Sequence, residues 1–201
     1  MTTLEIATPT GPALADIDKV TRPRALFVVG HGAGGGVDAV DIQAARAACL
    51  DAGIAVARVT QPYRVAGRRT PPPPKALDPA WVAAVEAVRK LRGLGTLPLV
   101  VGGRSSGARV ACRTATELGA AGVVALAFPV HPPGKPEATR IPELELPTVP
   151  VLVVQGDRDP FGMPPAANRR QIVVIAGADH GLKKDRATIG SSVVQFIESL
   201  L

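Results

Sequence analysis

Leu97-Pro98-Leu99-Val100-Val101-Gly102-Gly103-Arg104-Ser105-Ser106-Gly107 is the stretch on which the reading of this chain turns. Its apolar opening, Leu97 to Val101, is long enough for a fully buried strand and too short for a buried helix. The run stops at two glycines, and a helical pattern from Ser106 to Leu118 follows without a linker. Between them, Gly103-Arg104-Ser105-Ser106-Gly107 has the form G-x-S-x-G, in the strand-to-helix context where that motif carries chemistry. A turn this sharp crowds the backbone on both sides of its central residue, so only small residues fit there. Ser105 then stands above a sheet edge at a helix N-terminus, which favours developing negative charge. Taken alone, the five residues also fit a glycine-rich turn in which Ser105 caps the next helix. Ser106 falls outside the glycine frame, so its expected contribution is its backbone N–H.

Outward from this point the same alternation recurs. Ala25 to Val29, Gly122 to Phe128 and Val151 to Gln155 are further buried strands, and Ile54 to Thr60 and Gln171 to Ile175 complete the parallel set. Leu4 to Thr8 and Leu14 to Ile17 fit an antiparallel edge hairpin. Helical patterns fall at Asp38 to Ala52, Pro79 to Leu91 and Thr188 to Leu201, with Asp78 suited to capping and Pro79 to the first turn of the second. Strand and helix in alternation predict an α/β fold: a doubly wound, mostly parallel sheet covered on both faces. Two proline-rich excursions, Gln61 to Leu77 and Pro129 to Pro150, interrupt it. At 201 residues and 46% hydrophobic composition, one domain over residues 1–201 is expected, without a separate lid.

Composition narrows the function classes. Met1 to Val20 is too polar and too broken by proline and glycine for a secretory h-region, and no apolar run approaches the roughly 18 residues of a membrane span. A cytoplasmic protein without membrane association is expected. Cys49 and Cys112 both fall in helices and read as small buried hydrophobes. The formal charge of +6 sits mostly in scattered pairs, with no basic helix face and few aromatics, which argues against nucleic acid. No clustered His, Cys and carboxylate set implies a metal, and no cofactor motif appears.

His31-Gly32-Ala33-Gly34-Gly35-Gly36 follows the strand Ala25 to Val29. Acyl transfer needs two donors at the tetrahedral oxygen, and this loop can bring the Ala33 N–H beside that of Ser106. The competing reading, a phosphate loop, lacks both dinucleotide and P-loop spacing. His31 is expected to brace the loop. His180, in Gly177-Ala178-Asp179-His180-Gly181 after the final strand, is the candidate base. Gln155-Gly156-Asp157-Arg158-Asp159-Pro160 supplies the acid: Asp159 is preferred, being farther beyond the strand end, over Asp157, whose expected role is to accept turn amides, and over Asp179. The order Ser, acid, His is the one used by hydrolases with this elbow.

These four segments together resemble the α/β-hydrolase superfamily, most closely its compact dienelactone-hydrolase-like branch, including the testis-expressed-protein type of hydrolase domain. His131-Pro132-Pro133-Gly134-Lys135-Pro136 and Asp159-Pro160-Phe161-Gly162 are similar to that subgroup as well. The resemblance, from about Ala25 to the C-terminus, implies Ser105, Asp159 and His180 as a triad and the Ala33 and Ser106 amides as oxyanion donors. Dienelactone hydrolases carry cysteine at the nucleophile position, so Ser105 points away from dienelactone itself.

The expected function is a serine hydrolase acting on an ester-like bond, whether carboxylic ester, thioester or lactone, of a small-molecule substrate, with no cofactor. The alternative is a non-catalytic interaction domain presenting its proline-rich excursions to a protein partner. Arg104, beside the nucleophile, is a candidate substrate-binding residue. With Arg64, Arg68, Arg69, Lys135 and Arg140 of the excursions, it either favours substrates bearing a carboxylate or keeps exposed loops solvated.

Overall fold

The computed structural model describes residues 1–201. Its eight strands form one sheet in the order β1-β2-β4-β3-β5-β6-β7-β8. The strands are β1 (Thr2–Thr8), β2 (Gly11–Asp18), β3 (Leu26–Gly30), β4 (Ala55–Thr60), β5 (Leu99–Arg104), β6 (Gly122–Leu126), β7 (Val151–Gly156) and β8 (Arg170–Ile175). β1 and β2 make the expected hairpin, and β2 joins β4 in antiparallel register; from β4 to β8 every pairing is parallel. The helices are α1 (Val40–Asp51), α2 (Pro62–Val65), α3 (Pro74–Arg89), α4 (Ser106–Thr114), α5 (Ile141–Glu145) and α6 (Arg186–Glu198).

Strand residues alternate between two apolar layers because successive side chains point to opposite faces. Leu26, Val28, Val101, Val123 and Val153 pack with Trp81, Val85, Ala108 and Leu144 of α3, α4 and α5. Phe27, Val29, Val100, Val124 and Leu152 pack with Ile42, Cys49, Ile189 and Phe196 of α1 and α6. Both faces are thus covered, which is why the central strands read as unbroken apolar runs. Cys49 and Cys112 are buried and unpaired, and burial pushes both thiols up to about 12, leaving them protonated. No helix is long and apolar enough to cross a membrane.

Three local expectations need correction. The third helix begins at Pro74, not Pro79, with Pro73 as N-cap. Its apolar stripe starts at buried Leu77, so burial extends the helix upstream and leaves Pro79 inside it. Asp78 consequently caps nothing; its two oxygens lie 2.6 and 2.8 Å from the Arg113 guanidinium and tie α3 to α4. α4 stops at Thr114, and the chain turns at Gly119 with φ of 61° where Leu118 was expected to close the helix. Neither excursion is wholly irregular: the first holds α2 and the start of α3, and the second holds α5.

Candidate active site

The turn from β5 into α4 places Ser105 at φ 52° and ψ −110°, a left-handed backbone that costs a residue with a side chain about 1–3 kcal/mol. Ser105 N–H donates to Leu126 O at 2.9 Å, holding the turn against β6. Close approach explains the flanking glycines. A Cβ at Gly107 would stand 2.7 Å from the His31 carbonyl oxygen, and one at Gly103 would run into the backbone of Gly107. The motif therefore presses the start of α4 against both its own strand and the end of β3.

Three loops at the carboxyl ends of β5, β7 and β8 bring their polar side chains into line. His180 Nε2 lies 2.9 Å from Ser105 Oγ, and its Nδ1 lies 2.8 Å from Asp159 Oδ2. The Asp159 side chain is fully buried and that of His180 is 20% exposed. A buried carboxylate needs its lone pairs filled. Besides His180, Asp159 accepts from Gln155 Nε2 at 2.9 Å and from the Phe161 N–H at 2.9 Å. Gln155, itself fully buried, also donates to Gly162 O, so it locks the whole turn. Phe161 stacks edge-to-face on the His180 ring, with centroids 4.4 Å apart.

Asp157 is exposed and does not take up the turn amides expected of it: the N–H groups of residues 157, 158 and 159 donate to Ile175, Ala178 and Gly156 carbonyls instead. The turn-accepting aspartate is Asp159 itself. Asp179, also exposed, accepts from the Gly181 N–H and makes no hydrogen bond to the His180 ring.

The glycine loop after β3 is anchored from below. His31 is buried; its Nδ1–H donates to Gly32 O at 2.8 Å and its Nε2 accepts the Gln61 N–H at 3.0 Å. That pairing requires the neutral ring, and burial holds the His31 pKa below its ordinary value. Tyr63 OH donates to Ala33 O at 2.8 Å. Ala33, Ser105, Ser106 and His180 line one cavity of about 470 Å³, and the Ala33 N–H donates to no backbone carbonyl.

Arg104 lines this cavity, but its guanidinium is engaged elsewhere. One nitrogen donates to His180 O at 2.8 Å, and Nε lies 3.1 Å from Oδ2 of Asp41, a fully buried carboxylate at the start of α1. The Nε contact is one of charge, since its alignment is too poor for a hydrogen bond. Burial nevertheless raises the Asp41 pKa, with Arg104 opposing that rise. Arg104 thus links α1, the nucleophile turn and the histidine loop. Of the excursion cations, Arg140 lines the cavity and Arg64, Arg68, Arg69 and Lys135 do not; Arg109 of α4 does.

Sequence reasoning passed over Gln155 and Phe161 as partners of the acid and the base, and Asp41, Tyr63 and Arg109 altogether. Gln155 and Phe161 lay inside quoted motifs, so their offsets from Asp159 were a usable signal. Asp41 carried none, because what it faces depends on the packing of α1.

Residues 23–200 match the family described as alpha/beta hydrolase domain. No curated protein matches the sequence. Among solved structures, the chain resembles an α/β serine hydrolase without lid from Xanthomonas campestris (19% identity, TM-score 0.78, covering 100% of this chain and 94% of that one). It also resembles Est1E from Butyrivibrio proteoclasticus (16% identity, TM-score 0.79, 98% of each chain). A third likeness is to a dienelactone hydrolase from Anabaena variabilis (14% identity, TM-score 0.74, 99% and 95%). At these identities the likeness is one of fold.

Proposed function

The chain belongs to the alpha/beta hydrolase domain family, and from that membership we propose that it is a serine hydrolase cleaving an ester-like bond of a small substrate through an acyl-enzyme. The observation that carries this reading is the two-bond relay from buried Asp159 through His180 to Ser105, at 2.8 and 2.9 Å. His180 Nε2 takes the Ser105 proton as Oγ attacks the carbonyl carbon. Asp159 holds the ring in the tautomer with the proton on Nδ1 and stabilises the imidazolium that forms. The N–H groups of Ala33 and Ser106 receive the oxyanion. The imidazolium gives its proton to the leaving alcohol, and water then enters by the same route in reverse. Every step uses the chain's own residues and water.

The setting we propose is cytoplasmic, with one domain over residues 1–201; two buried free thiols need no oxidising compartment. The docking-domain alternative draws less support, because Pro74 opens α3 and Pro71 lines the cavity, so the proline run is not a free ligand.

A fluorophosphonate probe, followed by peptide mass mapping, tests the reading. Ser105 is expected to be labelled stoichiometrically, and Ser105→Ala to abolish labelling and lower turnover on the order of a millionfold with the thermal midpoint nearly unchanged. Ser106→Ala, which keeps its amide, should lose far less. An unlabelled Ser105, or undiminished turnover in Ser105→Ala, would end the proposal.

A further inference from the structure

We infer that Arg140 forms a carboxylate-binding subsite in the Ser105 cavity, so that the preferred substrate bears one negative charge in addition to the ester that is cleaved. The inference rests on the hydrolase reading and names its substrate class.

The cavity wall holds three guanidinium groups, Arg104, Arg109 and Arg140, and not one carboxylate. Two of the three have an acid behind them. Arg104 has Asp41, and Arg109 grips Glu143 in a two-pronged pair at 2.6 and 2.8 Å. Glu143 is further shared with Arg113 at 3.2 Å, so its single charge already faces two guanidinium groups at close range. Arg140 has no carboxylate within 4.0 Å; its one side-chain hydrogen bond is a long 3.5 Å one to the His131 carbonyl. Burial and the like charge of Arg109 both disfavour its cation, with Glu143 offsetting them in part. On this side of the cavity Arg109, Arg113 and Arg140 face two carboxylates, Glu143 and Asp78, and the surplus positive charge falls on Arg140.

The backbone that carries Arg140 is held in place. The Arg140 N–H donates to Val130 O at 2.7 Å, and Pro129 and Pro133 of the same excursion stiffen the wall beside it. A planar guanidinium fork matches the two oxygens of a carboxylate. One uncompensated charge is neutralised by a monoanion, whereas a phosphate or phosphonate dianion would leave an excess of negative charge. The remaining wall offers little to a long chain: besides the prolines, only Ala33 and Phe161 are apolar.

The test compares kcat/KM for 4-nitrophenyl hemisuccinate with that for its uncharged methyl ester of equal length. At low ionic strength the wild-type protein is expected to favour the charged ester about tenfold, in keeping with one charge-assisted contact, and the ratio should fall toward one in about 1 M salt. Arg140→Ala should bring the ratio to about one at low salt and Arg140→Lys should retain part of it, while Arg68→Ala, exposed and off the cavity, should leave it whole. Equal rates on the two esters in wild type, or a preference that survives Arg140→Ala, would overturn the inference. A 3-phosphonopropionyl ester favoured over the hemisuccinate would overturn the assignment to carboxylate. Calorimetric titration of Ser105→Ala protein with phenyl hemisuccinate and its methyl ester must give the same discrimination. Discrimination in binding with no turnover of any ester would sink the hydrolase reading alone; turnover without discrimination would sink the subsite alone.

Discussion

Asp157 and Asp159 stand two residues apart in one turn, and the fold gives them opposite surroundings. Asp159 is fully buried with its oxygens filled by His180, Gln155 and the Phe161 amide, while Asp157 is exposed. Only the first can fix an imidazole tautomer. Asp159→Asn is accordingly expected to lower kcat roughly ten-thousandfold, as wrong-tautomer variants of such relays do, and Asp157→Asn to stay within about threefold of wild type, as exposed sites generally do. Steady-state kinetics on one short ester decide it, and a larger loss at Asp157 would reverse the assignment. The preference for Asp159 was legible from its distance beyond the strand end. Its Gln155 partner was not, because a side chain at the last turn of a strand shows its direction only once the loop has folded over it.

Among the elements, the glycine loop after β3 shows how two side chains aim one amide. In a trans peptide the carbonyl and N–H point opposite ways. By drawing Gly32 O toward its ring, His31 turns the Ala33 N–H of the same peptide group away from itself, and Tyr63 fixes the next carbonyl. The ring is itself held by the Gln61 N–H, a bond that Nε2 can accept only while His31 is neutral, and burial keeps it so by pushing its pKa below the ordinary 6.5. Above that value neither the folded nor the unfolded chain is protonated there, and stability is unaffected. As pH falls below 6.5, the unfolded chain binds a proton that the folded chain refuses, so stability declines until the lower folded pKa is reached. Urea midpoints measured below pH 6.5 should therefore fall more steeply in wild type than in His31→Gln, which cannot titrate. Parallel slopes for the two proteins would refute this role. α3 teaches the complementary lesson: Asp78-Pro79 has the local form of a helix start, but burial of Leu77 outweighs a capping preference of about 1 kcal/mol.

At the scale of the whole molecule, the chain is committed to a two-faced sheet, and the excursions and the glycine loop wall the cavity together with the nucleophile turn, α4 and the loops after β7 and β8. A buried methylene contributes about 0.8 kcal/mol, so longer acyl chains gain only while apolar wall remains to cover them. With prolines, arginines and a single aromatic around about 470 Å³, that wall ends early. Across 4-nitrophenyl esters, kcat/KM is expected to level off or decline beyond the butyrate and not to climb toward the laurate. A steady rise with chain length in initial-rate measurements would contradict the described cavity.

Ser105, His180 and Asp159 could be read from the chain because each is marked by its place directly after an apolar strand, and a parallel sheet collects the ends of its strands along one edge. The same locality made Ala33 and Ser106, which both line the cavity, legible as neighbours of Ser105. The fate of the charged side chains was not. Arg104, the candidate for contact with substrate, lines the cavity while also holding Asp41 and the His180 carbonyl, Arg109 went unnoticed, and Arg140 emerged as the one wall cation without an acid within 4.0 Å. A guanidinium on a flexible stem reaches far beyond its own position, and which carboxylate it meets depends on where α1, α4 and α5 pack around the sheet. Strand ends are ordered by local sequence, whereas side-chain contacts between groups 34 to 76 residues apart are decided only by the tertiary structure.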